Sequence, residues 1–203
     1  MGLFRTDPKD HSDERLMELV VRGDERAFAV LYDRYQRKLL AYFHRMLWQD
    51  RERAQDFLQD LFTKIAQRPQ QFDGSRPFRT WLYSVANNMC KNEYRRMATR
   101  KAALPELHAT AAHVEEATAG AALDHRRFAT QLQAELDKLD PDQKATFIMR
   151  HQEEMSIKEI AAAFGISEGT VKSRLFYTLK KLAAGLPEFD PRPAQTTPAT
   201  GAR

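Results

Sequence analysis

SIKEIAAAFGISEGTVKSRLFYTLKKL, residues 156–182, is the stretch from which the fold can be read. Ile157, Ile160, Ala161 and Phe164 recur at the spacing of one helix face, and Ser156 with Glu159 forms a capping box at its start. Gly165 stands where the chain must leave that helix, and only glycine enters the left-handed region without steric penalty. Ser167 is placed to cap a second helix, whose buried side is predicted to be Val171, Leu175, Leu179 and Leu182. Ala161 is small enough for two helices to approach closely, and Val171, ten residues beyond it, marks where the second helix packs back onto the first. This Ala–Gly–Val spacing fits a helix-turn-helix, the unit that sets its second helix into the major groove of DNA.

The exposed side of the second helix agrees. Between Thr170 and Leu186 the charged residues are Lys172, Arg174, Lys180 and Lys181, with no acid among them. Its first turns offer Ser167, Glu168, Thr170, Lys172, Ser173 and Arg174, short or charged groups able to reach base edges and phosphates.

Working outward, helical periodicity fills almost the whole chain. Phe28, Leu31, Tyr32, Tyr35, Leu39, Tyr42, Phe43, Met46 and Leu47 form one long stripe, with a shorter helix before it carrying Leu16, Leu19 and Val20. A third stripe, Ala54, Phe57, Leu58, Leu61, Phe62 and Ile65, stops before Pro69. Residues 71–76 form a turn, and Pro77 suits the first position of a helix burying Phe78, Trp81, Leu82, Val85, Met89 and Cys90. Phe128, Leu132, Leu136 and Leu139 follow later, and Asp140-Pro141-Asp142-Gln143 is a strong helix start. Strand-like alternation is absent. The prediction is an all-α protein of two small helical domains joined by a flexible linker, the second containing the helix-turn-helix.

Composition sets the outer limits. The chain has 203 residues, 42% hydrophobic and 30% charged, enough apolar matter for a core. Cys90 is the single cysteine, so no intramolecular disulfide or cysteine-rich metal site is available. No apolar run is long enough for membrane insertion, and residues 1–13 do not resemble a signal peptide. A cytoplasmic protein is expected. The six histidines show no metal-ligand spacing, so neither a metal site, a cofactor nor a catalytic centre is expected.

The net charge of +4 conceals strong segregation. From Arg76 to Lys101 seven basic residues stand against one acid, Glu93, whereas residues 102–124 carry four acids and no Lys or Arg. The expected organisation is an N-terminal extension, 1–11; a first domain, 12–101; an acidic linker, 102–124; a second domain, 125–186; and a disordered tail, 187–203, holding four of the nine prolines. Within the first domain Arg76, Arg79 and Trp81 are followed by Asn88, Lys91, Asn92, Arg95 and Arg96. Cations and amides interleaved with an aromatic ring suit single-stranded DNA, although a Trp spaced with Phe78 and Val85 also suits a core.

Together these motifs carry a resemblance. Phe72-Asp73-Gly74, the run Phe78-Arg79-Thr80-Trp81-Leu82-Tyr83, Glu159-Ile160-Ala161 and Gly169-Thr170-Val171-Lys172-Ser173-Arg174-Leu175 resemble the small extracytoplasmic-function (ECF) sigma factors of bacterial RNA polymerase. The similarity covers residues 12–100 and 125–186. It implies that the first domain binds the clamp helices of the polymerase's largest subunit through Asp56, Leu58, Gln59, Asp60 and Phe62, with the flap of the second subunit as a further partner. It also implies that Asn88, Lys91, Asn92, Arg95 and Arg96 read the minus-ten element of promoter DNA. Arg76, Arg79 and Trp81 would melt that element and capture a flipped base, while Ser167, Glu168, Thr170, Lys172, Ser173 and Arg174 read the minus-35 element. An anti-sigma factor or a Ser/Thr kinase is the regulatory partner such proteins imply.

One departure stands out. Relatives commonly begin the polymerase-binding helix with Asp-Ala-Glu-Asp, whereas this chain has Arg53-Ala54-Gln55-Asp56. Two acids are lost and a basic charge gained on a surface meant for a basic partner. One reading is drift compensated by Asp50, Glu52 and Asp60; the other, implied by the resemblance to branches that lack those acids and are switched by threonine phosphorylation, makes Thr63 the candidate phosphorylation site. The alternative function is a stand-alone helix-turn-helix regulator that binds duplex DNA without polymerase. It would require a dimer interface or ligand pocket in place of the first ninety residues' docking and melting features.

Overall fold

The computed structural model describes residues 8–103 and 121–189, and every regular element among them is helical. Helices α1 (Asp13–Val21), α2 (Glu25–Met46), α3 (Arg51–Gln67) and α4 (Phe78–Ala103) make the first unit. Helices α5 (Ala121–Asp137), α6 (Pro141–His151), α7 (Ile157–Phe164) and α8 (Glu168–Gly185) make the second. None is long and apolar enough to cross a membrane.

Caps fix most helix starts. Ser12, Asp24, Asp50, Asp140, Ser156 and Ser167 each accept a hydrogen bond from a backbone N–H of the turn they open. At α4 the local sequence, Arg76-Pro77, supplies no capping side chain. Glu14 of α1 does so instead, its Oε1 accepting from the Phe78 N–H at 2.9 Å. Helix α4 therefore begins one residue later than Pro77 suggests, and Pro77 contributes the carbonyl that accepts from Trp81 N.

The first unit buries most of each predicted stripe: Leu16 and Val20 on α1, joined there by Met17; Leu31, Tyr35, Leu39, Tyr42, Phe43 and Met46 along α2, with Leu47 at its end; and Ala54, Leu58, Leu61, Phe62 and Ile65 on α3. Leu19, Phe28, Tyr32 and Phe57 are partly buried. Aromatic edges knit it together, with Phe62 meeting Phe28 and Tyr32, and Phe78 meeting Tyr35, Phe72 and Trp81. In the second unit α8 buries Val171, Leu175, Thr178 and Leu182. Leu179, predicted to be buried, is 47% exposed and Thr178 takes the inner position. The spacing explains it: from Leu175 a three-residue step to Thr178 and a four-residue step to Leu182 keep a narrower face than the four-residue steps that led to Leu179.

The two units share one core. Ala145, Ile148 and Met149 of α6, Met155, and Ile160, Ala161 and Ala163 of α7 belong to the same buried cluster as the first unit's residues. Helix α4 lies between the units, packed on α7 and α6 as well as on α1 to α3. That explains why Thr80, Tyr83, Ser84, Ala86 and Asn87, off the predicted inner stripe, are also buried. A smaller cluster of Leu136, Leu139, Phe147 and Leu182 closes the second unit.

The expected linker, 102–124, overlaps described structure only at its edges. Helix α4 runs to Ala103 and α5 opens at Ala121, while residues 104–120 lie outside the described residues. Within the expected tail, Pro187–Phe189 form a 3-10 turn whose Phe189 ring meets Phe128 at 5.0 Å between centroids; residues 190–203 lie outside.

Candidate nucleic-acid interface

Helix α8 is presented as a helix-turn-helix requires. Gly165 closes α7 in the left-handed conformation, φ 66°, and its N–H and that of Ile166 return to the Ala161 carbonyl. Ser167 then caps α8, its Oγ accepting from Thr170 N at 3.1 Å and lying 2.9 Å from Thr170 Oγ1. With Val171 and Leu175 turned inward, Ser167, Glu168, Thr170, Lys172 and Ser173 stand exposed around the N-terminal turns. Arg174 is the exception among the predicted contacts. It pairs with Asp142 of α6 at 3.1 Å and lies over the Phe164 ring at 5.9 Å. Phe176 and Tyr177 are exposed one turn further on, an aromatic pair the sequence reading did not single out.

The predicted melting residues lie along α4 and its approach, in two sets. Asn88, Asn92, Arg95 and Arg96 are exposed along the middle of the helix, Arg96 standing 3.5 Å from Glu93. Arg76, Arg79 and Lys91 are only partly exposed, because each meets the second unit. Arg76 donates to the Ala162 carbonyl at 3.1 Å, and Arg79 donates to the Glu153 carbonyl and stands 3.9 Å from Glu159. Lys91 is 3.0 Å from Asp142. Trp81 is 7% exposed, packed on Phe72 and Phe78, so in this conformation it is part of the core.

Four residues with no role between the units in the sequence reading organise this contact. Tyr83 donates its hydroxyl to the carboxylate of Glu153, which is only 5% exposed. Burial, reinforced by that carboxylate, pushes the Tyr83 phenol far above its ordinary value. Burial works to raise the Glu159 carboxyl as well, but the Ser156 N–H and hydroxyl, with Arg79 nearby, outweigh it and leave Glu159 below the usual range. Lys144 of α6 is fully buried, with its Nζ 2.6 Å from Asp137 and 3.4 Å from both the Met46 carbonyl and the Tyr94 hydroxyl. Desolvation lowers its pKa despite Asp137. A signal for the double-sided burial was present: Thr80 to Cys90 contains no charged residue, so that stretch has no charged face to keep in water and Asn88 alone is exposed.

On α3 the predicted docking residues also divide. Asp56, Gln59, Asp60 and Thr63 are exposed on one surface, whereas Leu58 and Phe62 are buried in the first unit's core. Arg53, the unexpected cation, turns inward, 3.1 Å from Asp50 and 3.3 Å from the nearly buried Glu93. Its charge is met within the chain.

Comparison with known proteins matches both units. Residues 31–100 fit the family model described as Sigma-70 region 2, and residues 129–182 the one described as Sigma-70, region 4. The RNA polymerase sigma-H factor of Pseudomonas aeruginosa is 33% identical over 175 residues, spanning 81% of this chain and 88% of that protein. The ECF RNA polymerase sigma-E factor of Escherichia coli is 29% identical over 175 residues, 81% of this chain and 89% of that one. Among solved structures, CnrH in complex with the cytosolic domain of CnrY aligns with a TM-score of 0.64 at 27% identity, covering 88% of this chain and 99% of that one. The sigma factor RpoE from Bartonella quintana, in complex with the anti-sigma factor NepR, shares the fold with a TM-score of 0.62 at 21% identity, over 78% of this chain and 99% of that one. With region 2 falling on α2 to α4, region 4 on the helix-turn-helix, and relatives matched over nearly their full length, the chain belongs to the sigma-70 family of RNA polymerase sigma factors, in its extracytoplasmic-function group.

Proposed function

We propose that this sigma factor brings core polymerase to one promoter class by dividing the work among three helices. The exposed surface of α3, Asp56, Gln59 and Asp60, meets the clamp helices of the polymerase's largest subunit, with Leu58 and Phe62 holding that surface in place from beneath. The ridge of Asn88, Lys91, Asn92, Arg95 and Arg96 on α4 takes the minus-ten element, and Arg76, Arg79 and Trp81 complete strand separation once freed. Ser167, Glu168, Thr170, Lys172, Ser173 and Arg174 read the minus-35 element from the start of α8. The protein carries no reaction of its own and works in the cytoplasm, where the polymerase is. The observation that carries this reading is the pair of basic helical faces, on α4 and α8, within one chain: a duplex reader alone has no use for the first.

Phosphorylation of Thr63 is part of the same proposal. Because Arg53 is matched by Asp50 and Glu93, what α3 lacks is negative charge, and a phosphate one turn beyond Asp60 adds about −1.5 to −2 charges on the exposed side. Run-off transcription with core polymerase on a library of genomic promoter fragments tests the main reading. Discrete transcripts that require this protein are expected. Duplex binding without polymerase association would point instead to a stand-alone regulator.

A further inference from the structure

Between Arg76 and Lys101 a single acid, Glu93, stands among seven cations, and it falls in the chain between Asn92 and Arg95 of the minus-ten ridge. Its side chain is 10% exposed and meets two arginines, one with each carboxylate oxygen. Oε1 is 3.3 Å from Nη1 of Arg53 on α3, and Oε2 is 3.5 Å from Nε of Arg96, one turn along α4. Arg53 is held in place from its own helix. Asp50, the N-cap of α3, accepts from the Arg53 backbone N–H at 3.0 Å through one oxygen and lies 3.1 Å from Nε through the other, while the Met97 sulfur is 4.0 Å from Nη1. The Arg96 side chain, by contrast, is 73% exposed. A nearly buried carboxylate draws strongly on whatever cation is at hand, because an unpaired buried charge is costly. With Arg96 as its sole partner, Glu93 would hold it in the Glu-to-Arg pairing, three residues apart, that a helix favours.

We infer that Arg53 is a positioning residue for strand capture: reaching across from α3, it balances the charge of Glu93 and leaves the Arg96 guanidinium available to a phosphate of the minus-ten strand. The inference rests on the sigma-factor assignment of α4 given above. Arg53 acts through Glu93 and touches no DNA. The cation gained at position 53 thereby has a use on the DNA side of the first unit, although it stands on the helix whose Asp56, Gln59 and Asp60 form the exposed docking surface. Helix α3 serves both partners: its outer surface meets the polymerase, and its first turn sets the charge balance of the DNA-binding helix beside it.

Equilibrium binding of reconstituted holoenzyme to a fork-junction fragment tests this across a salt series, the fragment being single-stranded over the minus-ten region of a promoter recovered by run-off transcription. Arg53→Gln should weaken binding about threefold, the weight of one exposed charge pair, and lower the magnitude of the log–log salt slope by about 0.7, the value for one single-strand phosphate. Arg96→Ala should lower the slope by the same amount, and the two changes together should lower it only once. Arg53→Gln/Glu93→Gln, which removes the stranded acid as well, should regain the wild-type slope and affinity. A role in folding alone would show no such recovery. A slope unmoved by Arg53→Gln or by Arg96→Ala, a double variant equal to the sum of its singles, or failure of Glu93→Gln to restore binding would overturn the positioning role, while promoter-directed transcripts leave the sigma reading intact. Absence of such transcripts with the wild-type protein would overturn both.

Discussion

At the scale of single residues, exposure separates groups that can meet a partner from groups that hold them in place. Lys172 stands free on the outer face of α8, whereas Arg174, two residues on, is engaged by Asp142. Lys172→Ala should weaken promoter binding and lower the magnitude of the log–log salt slope by about one, the value for one phosphate contact. An unchanged slope in a filter-binding titration would remove Lys172 from the contact surface. On α3, Thr63→Glu should assemble with core polymerase more tightly than the unmodified protein does; equal assembly in a competition experiment would dismiss phosphorylation as the source of the missing charge. Residue identity was legible in the sequence where the side chain has one job. Ser156, Gly165 and Ser167 occupy the cap and turn positions their chemistry predicts. Leu58, Phe62 and Trp81 were read as contact residues by resemblance, and all three are inside, because on an amphipathic helix the apolar members of a motif support the polar ones.

At the scale of elements, α4 shows what linear patterning misses. Its apolar stripe was plain, but its second buried face is made of Thr80, Tyr83, Ser84, Ala86 and Asn87, residues that periodicity assigns to solvent. Its start was misplaced by one position because the capping group comes from another helix, sixty-four residues away in the chain. Accepting from the Phe78 N–H holds the Glu14 carboxyl below its ordinary value of 4.5. The sign follows from linkage: an acid whose pKa is lowered on folding stabilises the fold above its unfolded pKa, and that contribution is lost as pH falls through the folded value. Glu14→Ala should cost about 1 kcal/mol near neutral pH, comparable with loss of an N-cap, and should flatten the acid limb of the stability curve. Urea titrations at pH 7 and pH 3.5 check it: a penalty of equal size at both would show that Glu14 acts through packing alone.

For the whole molecule, the sequence indicated two helical domains and the structure adds that they share one core. No linear pattern specifies how two domains meet, since each stripe is satisfied once it is buried against anything apolar. Lys144 marks the junction from the second unit. Fully buried, it reaches the Met46 carbonyl and Tyr94 in the first unit while paired with Asp137 in its own. Lys144→Ala should destabilise the protein by about 2–4 kcal/mol, combining a cavity with a broken pair. Lys144→Met fills the same space but still leaves Asp137 without its cation, so it should lose less than Lys144→Ala by about 1–2 kcal/mol, the share that belongs to the cavity. Thermal unfolding of both variants separates the two; equal losses would mean that the ion pair, not the volume, holds the junction.

Cys90, the one thiol in the chain, lies fully buried on α4, and burial pushes its pKa far above the usual thiol range. The thiolate is the form that reacts with peroxide, disulfides and electrophiles, so burial and a raised pKa both protect this thiol in the folded protein. At its single thiol, therefore, peroxide and disulfide stress leave no covalent mark while the first unit stays folded.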